Sequence, residues 1–251
     1  DNFNIGLSWE ITDGLRADLD YWSFDFTDVI IQENFQAVLN AFPDDPSRVQ
    51  RVAGPGTPVT QINVSFVNAS SVKTSGVDFD LRYDMETGIG QIQPFIQGTY
   101  VLTYDIEDPQ AGSVDGVGRR NFTNFGNPTP ELRFNAGLGW AAGAHSANLF
   151  ARYISAYDDD QNCADDSAPA AGACGTGTGG FFEIDSFLSF DAQYSVDTAA
   201  LFDMDNGPIF TLGVINATGE EPPQVFTNGG YDARVHDPRG RMIYARLKYA
   251  F

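Results

Sequence analysis

Basic residues are scarce in this chain. Lys and Arg total 14 against 34 Asp and Glu, which leaves a formal charge of -20 over 251 residues. So acidic a chain lacks the basic patches that binding to nucleic acid or to anionic lipid headgroups needs. Long hydrophobic runs are missing too: no stretch approaches the ~18 apolar residues of a membrane-spanning helix. Asp1 opens directly into strand-like sequence, with no leader peptide visible before it. Cysteine is limited to Cys163 and Cys174, and histidine to His145 and His236, too far apart to suggest a metal pair. There is no H-E-x-x-H, G-x-S-x-G or P-loop pattern, and no nucleophile–base set stands out, so nothing supports an enzyme. Aromatics are plentiful: 20 Phe, 10 Tyr and 3 Trp exceed what a disordered acidic chain carries.

What recurs instead is alternation with period two, the mark of strands with two unlike faces. Ile243, Ala245, Leu247, Tyr249 and Phe251 oppose Tyr244, Arg246 and Lys248. Val77, Phe79, Leu81 and Tyr83 oppose Asp78, Asp80, Arg82 and Asp84. Leu15, Ala17, Leu19 and Tyr21 oppose Arg16, Asp18 and Asp20. Leu132 to Trp140 and Ile184 to Tyr194 repeat the pattern, with weaker alternation at 3–9, 94–104, 147–153 and 209–216. This predicts about nine strands.

Their connections alternate in length. Short turns fall at Asp13-Gly14, Thr87 to Gly90 and Gly143-Ala144, with a longer one at 197–207. Long polar segments occupy roughly 33–70, 106–128, 158–181 and 217–238. Several loops beyond ~12–15 residues are rare in an ordinary compact domain. A transmembrane β-barrel has them routinely on one side, with short turns on the other. Alternation alone does not say which face meets lipid. Three features favour the barrel: one-sided long loops, a terminal aromatic at Phe251, and aromatics at strand ends. The last are Tyr21, Trp22, Tyr83, Tyr100, Tyr104, Trp140, Tyr153 and Tyr194, read as interfacial girdles. The expected fold is all-β: an antiparallel outer-membrane barrel. Its inward charges would be Asp18, Asp20, Asp78, Asp80, Arg82, Arg133, Arg152, Arg246 and Lys248, read first as pairing across strands or holding a plug.

Several stretches resemble the β-barrel of TonB-dependent receptors. The last strand, with Tyr231, Asp237-Pro238-Arg239-Gly240-Arg241 and Tyr244 to Phe251, is similar to the family's C-terminal strand. Val72 to Tyr83, Leu15 to Ile30 and Phe210 to Pro223 resemble further strands of it, although Ala217 and Thr218 depart from the commoner Leu-Phe. The resemblance spans the whole chain. It implies a barrel of about 22 strands, a plug domain and a box that engages TonB. Nine strands are too few and no plug is visible, so residues 1–251 are expected to be the C-terminal portion of such a barrel. An open sheet edge does not sit unpaired in lipid.

The resemblance implies TonB-dependent uptake of a scarce ligand: iron-siderophore, cofactor or oligosaccharide. The alternatives are a surface-interaction barrel without transport and a small porin-like channel. Implied partners are outer-membrane lipid and lipopolysaccharide, the rest of the receptor with its plug, TonB, and the barrel-assembly machinery reading Tyr249 and Phe251. No cofactor is expected. Loop aromatics are the ligand-facing candidates: Phe35, Phe42, Phe122, Phe125, Phe181, Phe226 and Tyr231. Phe35, Val38, Leu39 and Phe42 have helical spacing, with Asn34 as cap and Pro43 as stop. Cys163 and Cys174, in an extracellular loop, are expected to form a disulfide worth roughly 2–3 kcal/mol. Asp158, Asp160 and Asp165 are a weak Ca²⁺ candidate, with a solvated acidic loop as the default. Gly175 to Gly180 fits G-x-G-x-x-G but is expected to precede a strand rather than a helix, which removes the dinucleotide reading.

Overall fold

A computed structural model describes residues 1–110, 112–163, 181–227 and 229–249. In chain order these form β1 (Asn2–Thr12), β2 (Leu15–Gln32), α1 (Phe35–Ala41), β3 (Val49–Arg51) and β4 (Val59–Ile62). Then come β5 (Phe66–Tyr83), β6 (Met85–Thr87), β7 (Gly90–Asp108), β8 (Gly112–Asp115), β9 (Leu132–Ala142) and β10 (His145–Ile154). The remainder are β11 (Tyr157–Cys163), β12 (Phe181–Ile184), β13 (Phe187–Asp197), α2 (Thr198–Phe202), β14 (Ile209–Ile215) and β15 (Met242–Lys248). The wall is one antiparallel meander in the order β1-β2-β5-β7-β9-β10-β13-β14-β15. Its nine strands match the alternation in the sequence. Among the described residues the sheet is open, with β1 and β15 at its edges.

Short turns join the strands at one rim. Gly14 turns β1 into β2 at φ 77, and a Cβ there would lie 2.4 Å from the Asp84 carbonyl oxygen, so only glycine fits. The Asp197 carboxylate caps α2 in the β13–β14 turn, accepting from the Ala199 and Ala200 amides.

Register settles which face is outside. One row runs Leu7–Leu19–Phe79–Gly98–Phe134–Tyr153–Leu188 across seven strands. Large apolar side chains on this face lie bare: Leu7 is 62%, Leu149 53% and Leu212 62% exposed. The row one residue over, Asp18–Asp80–Gln97–Asn135–Arg152–Ser189, is polar. A soluble sheet would cover the apolar face; here it is the open one, as in a barrel wall in lipid.

Several boundaries differ from the sequence reading. β2, β5 and β7 run 18, 18 and 19 residues, well beyond the ~9–11 that cross a bilayer. They rise past the membrane as a ribbon, so β5 starts at Phe66 rather than near 71. Ile184 does not continue the wall strand. It ends β12 and is fully buried among loop residues, and β13 starts only at Phe187. Trp22 and Tyr104 are not girdle residues. Register puts Trp22 on the Asp20 face opposite Gly76, where a Cβ would meet the indole at 2.4 Å. The Tyr104 hydroxyl accepts from the Asn127 amide in a loop. The buried core lies at the long-loop rim: Tyr157, Ile184 and Val225, packed by Phe182 and Val235.

Candidate functional site

The four long connections knit into a cap. In the first, Asn34 caps α1 as its sequence position suggests, its Oδ1 accepting from the Gln36 and Ala37 amides at 2.8 and 3.1 Å. Its Nδ2 donates to the Phe122 and Asn124 carbonyls, both at 2.8 Å, which fastens the first loop to the second. Buried Glu33 accepts from Arg48, from the Ser65 amide and from Gln110. In the second loop, Asn121 takes a left-handed conformation at φ 55 and donates to the Gly116 and Asn127 carbonyls.

The third and fourth loops join through Arg120. Its Nη1 donates to Asp159 at 3.0 Å and to Gln161 at 3.1 Å, and its Nε faces Asp232 at 3.4 Å. Asp160 accepts from the Phe122 and Thr123 amides and the Thr123 hydroxyl. His236 lies buried with Nε2 3.3 Å from the Tyr157 hydroxyl, stacked on that ring and edge-on to Phe187. Burial pushes the His236 imidazole down to about 4, only partly offset by Asp232. Burial likewise pushes the Tyr157 hydroxyl up.

Of the seven aromatic candidates, three converge. Phe35 and Phe122 meet edge to face at 5.8 Å, and with Phe125 they line a cavity of about 500 Å³ between the first two loops and Arg234. That volume is within the ordinary range of ligand pockets. The other four are dispersed. Phe42 packs under Arg48, Phe181 under Arg119 and Phe226 against Phe182, while Tyr231 borders a separate cleft.

The acidic candidate is divided. Asp158 joins Arg119 and Arg120 through its backbone, and burial raises its carboxyl. Asp160 is committed to the second loop as above, and Asp165 lies outside the described residues. No group of three metal-ligating side chains occurs among the described residues. The Cys163 side chain, Cys174 and Phe251 also lie outside them, and Tyr249 is half-exposed just after β15.

On the polar face, Asp18, Asp20, Asp78 and Asp80 share a groove of about 540 Å³ with Arg133 and Arg152. Asp18 stands opposite Asp80, and Asp20 opposite Asp78, an unfavourable like-charge arrangement. Arg16 offsets it at Asp18 and Arg82 at Asp80, each from two residues along its own strand rather than across the sheet. Thr99 donates to Asp78, and Arg152 pairs with Asp191 on the next strand. Arg246 lies over the Tyr244 ring.

The sequence reading missed Glu33, Arg120 and Asp232. The one local signal was Arg119-Arg120, two adjacent cations within a long loop of a chain with few.

An open antiparallel wall, apolar outside and polar inside, with tight turns at one rim and knitted loops at the other, defines a segment of an outer-membrane-type β-barrel. The chain belongs to the TonB dependent receptor-like, beta-barrel family, whose model matches residues 1–217. No curated protein matches it. Solved structures with the same fold include a mutant of the ferric enterobactin receptor PfeA from Pseudomonas aeruginosa, at 16% identity and a TM-score of 0.59, covering 100% of this chain and 31% of that one. The copper transporter OprC gives 13% and 0.58, with 100% and 31% covered. The outer membrane transporter YddB from Escherichia coli gives 12% and 0.57, with 99% and 31% covered. The chain thus spans under a third of their length.

Proposed function

We propose that this chain is the C-terminal wall and outer loops of a TonB-dependent receptor in the outer membrane of a Gram-negative bacterium. Its cap captures a scarce ligand. The ligand then passes along the polar face once TonB, acting through a plug in the rest of the receptor, clears the lumen. The observation that carries this reading is the aromatic cavity of Phe35, Phe122 and Phe125, built on loops fixed to one another at the rim opposite the short turns. Lipid and lipopolysaccharide face the apolar side, and the barrel-assembly machinery reads the terminal Tyr249 and Phe251. The disulfide of Cys163 and Cys174 remains part of this proposal as a constraint on the third loop. Iron chelates and copper, named for the similar receptors, head the ligand classes, with cofactors and oligosaccharides behind. A small porin made from this chain alone is disfavoured by the sheet's being open among the described residues.

The test is uptake into cells that express the full-length receptor, with TonB present or deleted. The probes are radiolabelled ferric siderophores, copper, a corrinoid and maltodextrins. Uptake of one of them that falls to background without TonB, and in Phe122→Ala, supports the reading. Passage that is equal with and without TonB, or no uptake of any probe, contradicts it.

A further inference from the structure

The cavity of Phe35, Phe122 and Phe125 carries one charge still free to read a ligand. Two charged side chains border it, Glu33 and Arg234. Both Glu33 oxygens are consumed by Arg48, Ser65 and Gln110. The amides of Asn34, Asn121 and Asn124 are likewise spent on the loops themselves. Arg234 differs. Its side chain is 49% exposed, and its one ion pair among the described residues is a loose one, Nε to Asp232 Oδ1 at 3.6 Å. A guanidinium carries five N–H donors in a fixed fork, so most of its capacity is unused.

Arg120 lies beneath this arrangement. Its guanidinium is 4.6 Å from the Phe122 ring centroid, and its Nε faces the other oxygen of the Asp232 carboxylate that Arg234 faces. One buried arginine therefore touches both the aromatic wall and the carboxylate that orients the free cation. A cationic ligand fits poorly. One face of Phe122 already holds a guanidinium, and Arg234 would repel it at the rim.

We infer that Arg234 is the specificity-determining residue of this cavity, which takes a flat anionic group stacked among the three phenylalanines, and that Arg120 is the positioning residue behind it. This rests on the ligand-capture reading above. It opposes the chain's overall sign: the net charge of -20 would draw cations, whereas the cavity selects an anion.

The experiment uses the full-length receptor in detergent and three probes of one shape: naphthoate, naphthamide and naphthylmethylammonium. Calorimetry should show naphthoate about tenfold tighter than naphthamide, the scale of one charge-assisted contact, with the ammonium weakest. Arg234→Gln, a change at an exposed side chain, should bring the ratio of naphthoate to naphthamide affinity to about one. Arg120→Lys should narrow the same ratio, which a purely structural loss, weakening both probes alike, does not do. A wild-type ratio of one, an unchanged ratio in Arg234→Gln, or binding of none of the probes overturns the inference. If Phe122→Ala abolishes all binding while Arg234→Gln keeps the ratio, the charge assignment falls and the cavity stands as the ligand site. If neither variant alters binding, both fall.

Discussion

Arg120 and Asp159 form an ion pair at 3.0 Å in which the side chains are 5% and 0% exposed. The pair joins the loop after β8 to β11, and through Asp232 it reaches the loop before β15. Buried pairs add little over apolar packing but are costly to break on one side. Arg120→Met therefore takes the guanidinium away from the buried carboxylates of Asp159 and Asp232. The expected cost is about 3–5 kcal/mol, confined to the cap. Hydrogen exchange checks it: amides of 119–126 and 231–236 should lose protection while β9 and β10 keep theirs.

His236 makes the cap acid-sensitive. Its ordinary value is near 6.5 and burial holds it at about 4 in the docked loop. The docked state thus binds fewer protons between these values, so docking weakens as pH falls from about 6.5 and the loss is complete below about 4. A shift of this size is worth up to about 3 kcal/mol. Exchange of 231–236 should quicken across that window in the native protein. In His236→Phe, which keeps a ring against Tyr157 and Phe187, this part of the pH dependence should vanish.

Asn34 serves α1 and the second loop with one side chain. Asn34→Ala removes a cap worth about 1 kcal/mol and two donors to part-buried carbonyls worth about 1 kcal/mol each. The first loop should detach locally, seen as faster proteolysis within 35–62 and unchanged protection of β2. Asn34→Asp keeps the cap acceptor but not the donors, and should recover only the helix.

The two faces of the wall should tolerate charge unequally. Leu149→Arg places a cation on the apolar side near mid-wall, at about 2–4 kcal/mol if that side meets the bilayer midplane. Asn135→Arg, on the polar side, should assemble normally. Heat-modifiable mobility of the receptor in outer-membrane fractions distinguishes them.

Much of the wall was legible because period-two alternation reports directly on a sheet with unlike faces. The turns at Gly14 and Gly143 and the Asn34 cap are local signals too, and they are where the chain turns or starts a helix. The break between Ile184 and Phe187 was not legible, since Ile184 is apolar and of the same parity as Leu188 and Phe190 on the wall strand. Nor was the start of β5 at Phe66, which falls within the stretch 33–70 that reads as a long polar segment. The cap was the least visible. Asn34 meets Phe122 across 88 residues and Tyr157 meets His236 across 79, and no local spacing encodes such contacts. Three of seven loop aromatics share a cavity because side chains such as Asn34 and Asp160 pull their loops together, not because the aromatics are spaced for it.

The most direct measurement is the depth and environment of spin labels on the two faces of the full receptor in liposomes. Labels at Leu149→Cys and Leu212→Cys should be relaxed by oxygen and shielded from a water-soluble nickel chelate. Labels at Gln97→Cys and Asn135→Cys should be shielded from oxygen. Equal accessibility on both faces, or the reverse order, would contradict a wall that turns its exposed apolar side chains to lipid and its aspartates and arginines to the lumen.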